Sequence, residues 1–355
     1  MRKSILFISA AVLFTCMARA GAGDAAEVPD PGVYSVIVVG DLYFGGGLQD
    51  RILKNGPDYP FIYVKDLLNS SDFTIGNLES PLSLAGGKYV KEKQFYLHAD
   101  PRTADALLSG GFDLVSLANN HIMDYGPQAL AETLRVLDER GIGRAGAGFN
   151  LSEARKPAFA EQNGRKIALL SYARVFPMEY YATSSRSGMA WAAAEYFAKD
   201  VQKARDAGAV LVVAAVHWSG ELRNYPLPYQ EEVGHALIQA GADLVVGHHP
   251  HVLQGIEIYR GKIIAYSLGN FAFSSMSKKV TDSAVFKIFW NGNHPEKLVI
   301  YPMNVANWET LYQTRPRTGA DAERVLNDLR LFSAKYGTAI TSEGDTGVIE
   351  IMLQP

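Results

Sequence analysis

Three histidines fall within four positions in Gly247-His248-His249-Pro250-His251, a density that packing alone does not explain. Pro250 disfavours helix at His249, so the segment is expected to be extended. On an extended segment residues i and i+2 point the same way. His249 and His251 are therefore expected to aim at one ion, with His248 facing elsewhere to hold a ligand in place. Imidazole suits Zn, Mn, Fe or Ni.

Four further clusters carry oxygen and nitrogen donors. Asp41 follows Gly40 and can ligate metal or simply open a turn. Gly76-Asn77-Leu78-Glu79 offers an amide and a carboxylate, or an Asx turn. Asn119-Asn120-His121-Ile122-Met123-Asp124 crowds Asn, His and Asp into six positions. There Asn120 can ligate through its oxygen, His121 can act as general acid, and Asp124 can fix the His121 tautomer. The competing reading is a cap for the helix that follows. His217-Trp218-Ser219-Gly220-Glu221 adds an isolated His with a nearby carboxylate, Glu221. Asn270, in Ser267-Leu268-Gly269-Asn270, is expected at the same rim.

Together these are mixed N and O donors without thiolate. Such a set fits one or two hydrolytic divalent ions (Mn, Zn or Fe) that generate a nucleophilic hydroxide and polarise a carbonyl or phosphoryl oxygen. No G-x-S-x-G, phosphate loop or dinucleotide fingerprint is present, and Gly45-Gly46-Gly47 lacks the Lys-Ser/Thr a phosphate loop needs.

Elements that position these residues can be read from the apolar runs that precede them. Val33–Val39, Phe73–Ile75, Leu114–Leu117, Ile167–Ser171, Val210–Val216, Leu244–Val246 and Ile263–Ser267 are short, apolar and bounded by Gly or polar residues. That pattern suits strands buried on both faces. Helical periodicity lies between them over Gln128–Arg140, Glu195–Ala207 and Gln230–Ala240, and later over Ala320–Lys335. Alternating strand and helix predicts an α/β fold with ligands beyond the carboxyl ends of the strands. Late runs at Val285–Trp290, Lys297–Met303 and Val348–Leu353 have few helices between them and suggest a second, more antiparallel sheet.

Composition narrows the classes. The 355 residues are 48% hydrophobic and 20% charged, enough for a sizeable core. Arg2 and Lys3, an uncharged apolar run to Met17, and Ala18-Arg19-Ala20 have the layout of a signal peptide over residues 1–20, with a small, Pro-containing linker over 21–32. The run is shorter than the ~20 residues a spanning helix needs. The sole Cys, Cys16, lies inside it and follows Thr15, a poor neighbour for lipidation, so an extracytoplasmic protein is expected in preference to a lipoprotein. Loss of Arg2, Lys3 and Arg19 would move the formal charge from −3 to −6, and no basic stripe is present, which argues against nucleic acid as a partner.

In this order, GD, GNLESPLS, LANNHIMDYG, HWSGE, GHHPHVLQG and YSLGNF resemble the CapA/PgsA-type bacterial proteins of poly-γ-glutamate capsule synthesis, over about Val36 to Phe273. That family is similar to calcineurin-like metallophosphoesterases. The resemblance implies one domain over 33–355 with a four-layer α/β/β/α sandwich. It implies metal ligation by Asp41, Asn120, His217, His249 and His251, with His121 as the neighbouring acid. The residue two after the first Asp, a His in metallophosphoesterases, is Tyr43 here, and the metal-bridging Asp is replaced by Asn77 or Glu79. The implied partners are an anionic surface polymer or its precursor and membrane-bound capsule synthase subunits. Hydrolysis of another envelope phosphoester or amide, and a non-catalytic role in a synthesis and export complex, are the alternatives. His121 favours an enzyme and Tyr43 the non-catalytic role.

Overall fold

The computed structural model describes residues 32–352, so the signal-peptide segment, all but the last residue of the linker, and the end of the Val348–Leu353 run lie outside the described residues. From Gly32 onward the chain forms one unit. Its apolar runs become strands with both faces covered. Val33–Tyr43, Phe73–Leu78, Leu114–Ser116 and Gly143–Ala145 pair in parallel, in that order. Along Val33–Tyr43 the side chains alternate between two cores: Ile37 and Val39 face one, Val36 and Val38 the other.

The late antiparallel strands do not make a separate sheet. Asp282–Asn291 pairs with the free edge of Val33–Tyr43, and His294–Asn304, Thr346–Glu350 and Thr341–Glu343 follow outward, giving ten strands in one mixed sheet. A central strand has two edges, and a local antiparallel pattern does not reveal that it will extend a sheet already begun. The Asp282–Asn291/His294–Asn304 hairpin closes through Gly292-Asn293, with Gly292 at φ +59°, as a two-residue turn requires.

A second, six-stranded sheet has parallel strands Arg165–Ala173, Leu211–His217, Leu244–His248 and Lys262–Ala265, with antiparallel edges at Ala158–Gln162 and Ile256–Tyr259. Three cores separate four layers. Helices Gly46–Asn55 and Gly126–Glu139 cover the outer face of the first sheet through Leu48, Ile52, Leu130 and Leu134. The two sheets bury Val36, Val38, Leu169, Val213 and Val246 between them. Helices Ala194–Asp206 and Pro228–Gln239 cover the second sheet through Phe197, Val201, Val233 and Leu237. This is the four-layer α/β/β/α sandwich. Helix Gly319–Ser333 departs from pure layering, since its Val325, Leu326 and Leu329 join the core between the sheets.

Candidate metal centre

Parallel strands of both sheets end at the same place, and their polar residues meet there. Asp41 lies two residues before the end of the first strand, Asn77 and Glu79 flank the last residue of the second, and Asn119 to Asp124 follow the third. From the other sheet come His217, at the end of Leu211–His217, and His248, at the end of Leu244–His248. Two glycines permit this. A Cβ on Gly40 would lie 1.9 Å from the Gly269 carbonyl oxygen, and one on Gly247 would lie 1.9 Å from that of Tyr266. The segment Tyr266–Gly269 thus presses against both strand ends, each just before a site residue. Asn270 does not end a strand, as its preceding apolar run suggested. It opens Asn270–Phe273, which pairs in parallel with the end of the first strand, opposite Asp41.

Two donor groups form, and both contain Glu79. Ligand atoms of Glu79, His217 and His249 lie within 4.8 Å of one another, as do those of Asp41, Glu79 and His251. His251 Nδ1 is 2.8 Å from Asn270 Oδ1 and 3.3 Å from Asp41 Oδ2. The contact with Asn270 favours a proton on Nδ1 and leaves Nε2, 3.8 Å from Glu79 Oε1, as the ligating atom. Asn120 Oδ1 and His217 Nε2 are in hydrogen-bond contact at 2.8 Å, which brings the Asn120 amide oxygen to the same cluster. His248 is 2.9 Å from Asp41 Oδ1 and orients that carboxylate.

Asn77 is not placed as a ligand. A carboxylate only accepts hydrogen bonds, so the amide nitrogen of Asn77 must face Asp41 Oδ1 at 2.9 Å and Glu79 Oε2 at 3.4 Å. Its oxygen receives the Asn119 amide at 3.3 Å. Glu79, not Asn77, stands where the two groups meet. The extended geometry expected of His249-Pro250-His251 is also corrected: His249 has φ +94° and His251 φ +60°. The two rings are 6.0 Å apart and belong to different donor groups, not to one ion. Left-handed backbone at two non-glycine residues costs ~1–3 kcal/mol each, and such strain concentrates at functional sites.

The donors fit a divalent cation on their own chemistry. Glu79 Oε1 and His249 Nδ1 are buried with no hydrogen-bond partner, an arrangement a cation would satisfy. Without an ion the electrostatics are divided. Burial opposes the charge on Asp41, but hydrogen bonds and charge from His248 and His251 hold it well below the usual carboxylate range. Burial and the Asp41 charge raise Glu79 well above its usual value. His251 is raised to about 10: burial lowers it, but Glu79 and Asp41 outweigh that. Burial depresses His217, and it takes His249 to about 3 with help from the His251 charge.

His121 and Asp124 lie alongside. His121 Nδ1 is 2.6 Å from Asp124 Oδ2, which leaves Nε2 free, and burial lowers the ring to about 4 against the pull of Asp124. The sequence pattern did not reveal Lys93. Its ammonium reaches Asp124 Oδ1, comes within 2.9 Å of His121 Nδ1 and donates to the Asn120 carbonyl. Tyr180 also donates to Asp124, at 2.9 Å. Tyr43, at the departure from the metallophosphoesterase pattern, is buried against Phe273, with ring centroids 5.3 Å apart, and Phe273 in turn contacts the His251 ring.

Two clefts open on the cluster. One, of about 380 Å³, is lined by His121, His251, Asn270 and Glu221, and the Glu221 charge adds to those that raise His251. The other, of about 570 Å³, reaches His249 past Arg174, Arg223 and Trp191.

A buried N and O donor cluster between the carboxyl ends of two sheets marks a candidate divalent-metal protein. Residues 35–275 match the family model described as bacterial capsule synthesis protein PGA_cap. The capsule biosynthesis protein CapA of Bacillus anthracis is 34% identical, over 85% of this chain and 74% of its own length. The PGA biosynthesis protein CapA of Bacillus subtilis (strain 168) is 32% identical, over 84% and 80%. The chain belongs to this bacterial capsule synthesis family. Among solved structures, the NAD nucleotidase of Haemophilus influenzae is similar at a TM-score of 0.45 and 12% identity, over 84% of this chain and 62% of that one. The chain therefore spans less than two thirds of that protein, and so distant a likeness carries no conclusion.

Proposed function

We propose that this protein is an extracytoplasmic, divalent-metal-dependent hydrolase of the capsule synthesis family that acts on an anionic surface polymer such as poly-γ-glutamate or its precursor. The observation that carries the reading is the pair of donor groups joined at Glu79 with His121 open to the same cleft. Glu79, His217 and His249 with Asn120 would hold one cation, and Asp41, Glu79 and His251 a second. A cation there supplies an acidified water and a polarised substrate oxygen. The chain's own groups do the rest. Asn77 and His248 orient the carboxylates, and Asn270 sets the His251 tautomer. Asp124 holds the His121 ring so that Nε2 faces the cleft, where it can exchange a proton with the reacting group, help typically worth ~10² to 10⁴ in rate. Export rests on the residues 1–20 pattern, and membrane-bound synthase subunits are the expected company of such a protein.

Comparing His251→Ala with His121→Ala tests the reading. His251→Ala should lower metal content and thermal stability together. His121→Ala should keep both but remove turnover of γ-glutamyl peptides and polymer production in cells. Equal metal loss in the two variants would make His121 a ligand. Full cellular function with His121→Ala would favour the non-catalytic role. Mass spectrometry of the exported protein should find Gly21 at the N-terminus, and an intact Met1 would contradict export with cleavage.

A further inference from the structure

We infer that the cleft leading to His249 is a carboxylate-binding subsite, in which Arg174 and Arg223 hold a free carboxylate of the substrate beside the candidate metal centre. This deepens the proposed function and rests on its reading of the substrate as an anionic polymer. Two arginines line the cleft and no acidic side chain does. Neither guanidinium has a hydrogen bond or ion pair with any described residue. Arg174 lies over the Tyr229 ring, 4.8 Å from its centroid, which fixes its plane and leaves the guanidinium's donors unspent. Arg174 is also tethered through its backbone, whose N–H donates to the His217 carbonyl at 2.8 Å. Arg223 folds back over Gly220, where a Cβ would meet its Nε at 3.3 Å.

A second observation points to a ligand. Ser219 lines the same cleft, and its Oγ is a buried atom without a partner that no candidate cation accounts for. Three polar groups, Arg174, Arg223 and Ser219, thus line a space of about 570 Å³ walled by Trp191 and Tyr229. Apolar walls lower the local dielectric and strengthen a guanidinium–anion contact. A γ-linked glutamate chain carries one free carboxylate on every residue, adjacent to its amide. A residue seated here would place that carboxylate on the arginines and its neighbouring amide toward His249.

The test is calorimetric binding to the metal-loaded full-length protein of three probes: a γ-glutamyl pentapeptide, the same peptide with every free carboxylate converted to amide, and inorganic phosphate. Arg174→Met and Arg223→Met should each weaken the pentapeptide at least ~10-fold, the loss expected for a charge-assisted hydrogen bond. Metal content and melting temperature should not change, and the amidated peptide should bind wild type and variants alike, at the weakened level. Arg174→Lys and Arg223→Lys should each retain more of the affinity than the matching Met variant. Binding of the pentapeptide unaffected by both substitutions overturns the subsite while leaving the polymer reading intact. Equal binding of the amidated peptide overturns it too, as does no binding of any probe. If wild type binds phosphate but not the pentapeptide, and the arginine variants lose phosphate, the arginines hold a different anion, and the carboxylate assignment and the polymer reading fall together.

Discussion

Asp124→Asn should loosen the site without touching a candidate metal ligand. The Asp124 side chain is fully buried and receives Lys93 at 2.5 Å, His121 Nδ1 at 2.6 Å, the Leu97 N–H at 2.7 Å and the Tyr180 hydroxyl at 2.9 Å. Asparagine keeps the shape but has one acceptor oxygen. If that oxygen serves Lys93 and Tyr180, the new NH2 faces the Leu97 N–H and His121. The imidazole can adapt by moving its proton to Nε2, but the Leu97 N–H cannot, and an unsatisfied buried donor costs ~1–3 kcal/mol. Lys93, whose side chain is only 14% exposed, also loses its counter-charge. Stripping one partner from a buried pair costs ~3–5 kcal/mol, discounted here for that residual exposure. A total of about 4 kcal/mol follows. At ~2.1 cal/mol/K of unfolding entropy per residue, a fold of this size loses about 6 °C in Tm. The assay is thermal unfolding by circular dichroism, with limited proteolysis of the Lys88–Leu97 segment that Asp124 ties down and metal content as the control. Metal should stay and cleavage in that segment should rise. A Tm within about 1 °C of wild type, with the segment still protected, would mean that Asp124 does not hold Lys93 and Leu97 in place.

Glu79→Gln should empty both donor groups, because both share this carboxylate, whereas His251→Ala touches one; elemental analysis that finds one equivalent of metal retained in Glu79→Gln contradicts a shared ligand. Metal uptake at pH 7.5 should release at least one proton. Glu79 and His251 are both raised in the metal-free protein, His251 to about 10, and must give up protons to ligate, so release from His251 should fade as pH rises through that value. Calorimetry in buffers of different ionisation enthalpy counts those protons, and none at pH 7.5 would contradict the charge assignment. Gly40→Ala should destabilise by ~3 kcal/mol or more, since its Cβ would strike backbone, not a movable side chain, and should free Asn270 from the site. A soluble variant with unchanged Tm and metal content argues against the close approach.

The strands and the rim of the site were legible because each apolar run delivers a polar cluster at its end, and a buried polar cluster on a strand end has few purposes besides a ligand. What escaped was contact that local pattern does not encode. Lys93 sits in Lys88-Tyr89-Val90-Lys91-Glu92-Lys93, which reads as an ordinary solvated stretch. Only the fold shows that one of its three lysines turns inward to Asn120, His121 and Asp124. Asn77 and Glu79 were equivalent by spacing, and the sequence alone has no means to assign the amide. The choice follows once the Asn77 amide nitrogen is seen to donate to Asp41 Oδ1, which turns that side chain's donor, not its oxygen, toward the site. The histidine run misled for a related reason. Extended backbone was the lower-energy expectation for His249-Pro250-His251, but the chain there must serve two donor groups at once. With positive φ at both histidines, the rings join different donor groups around Glu79 and line different clefts. The strain is affordable because the strand ends on either side are clamped by Tyr266–Gly269, which Gly40 and Gly247 admit to backbone contact. The two glycines before Asp41 and His248 were visible from the start as neighbours of candidate ligands. Their purpose, letting one segment lock the two sheets together at the site, belongs to the tertiary structure alone.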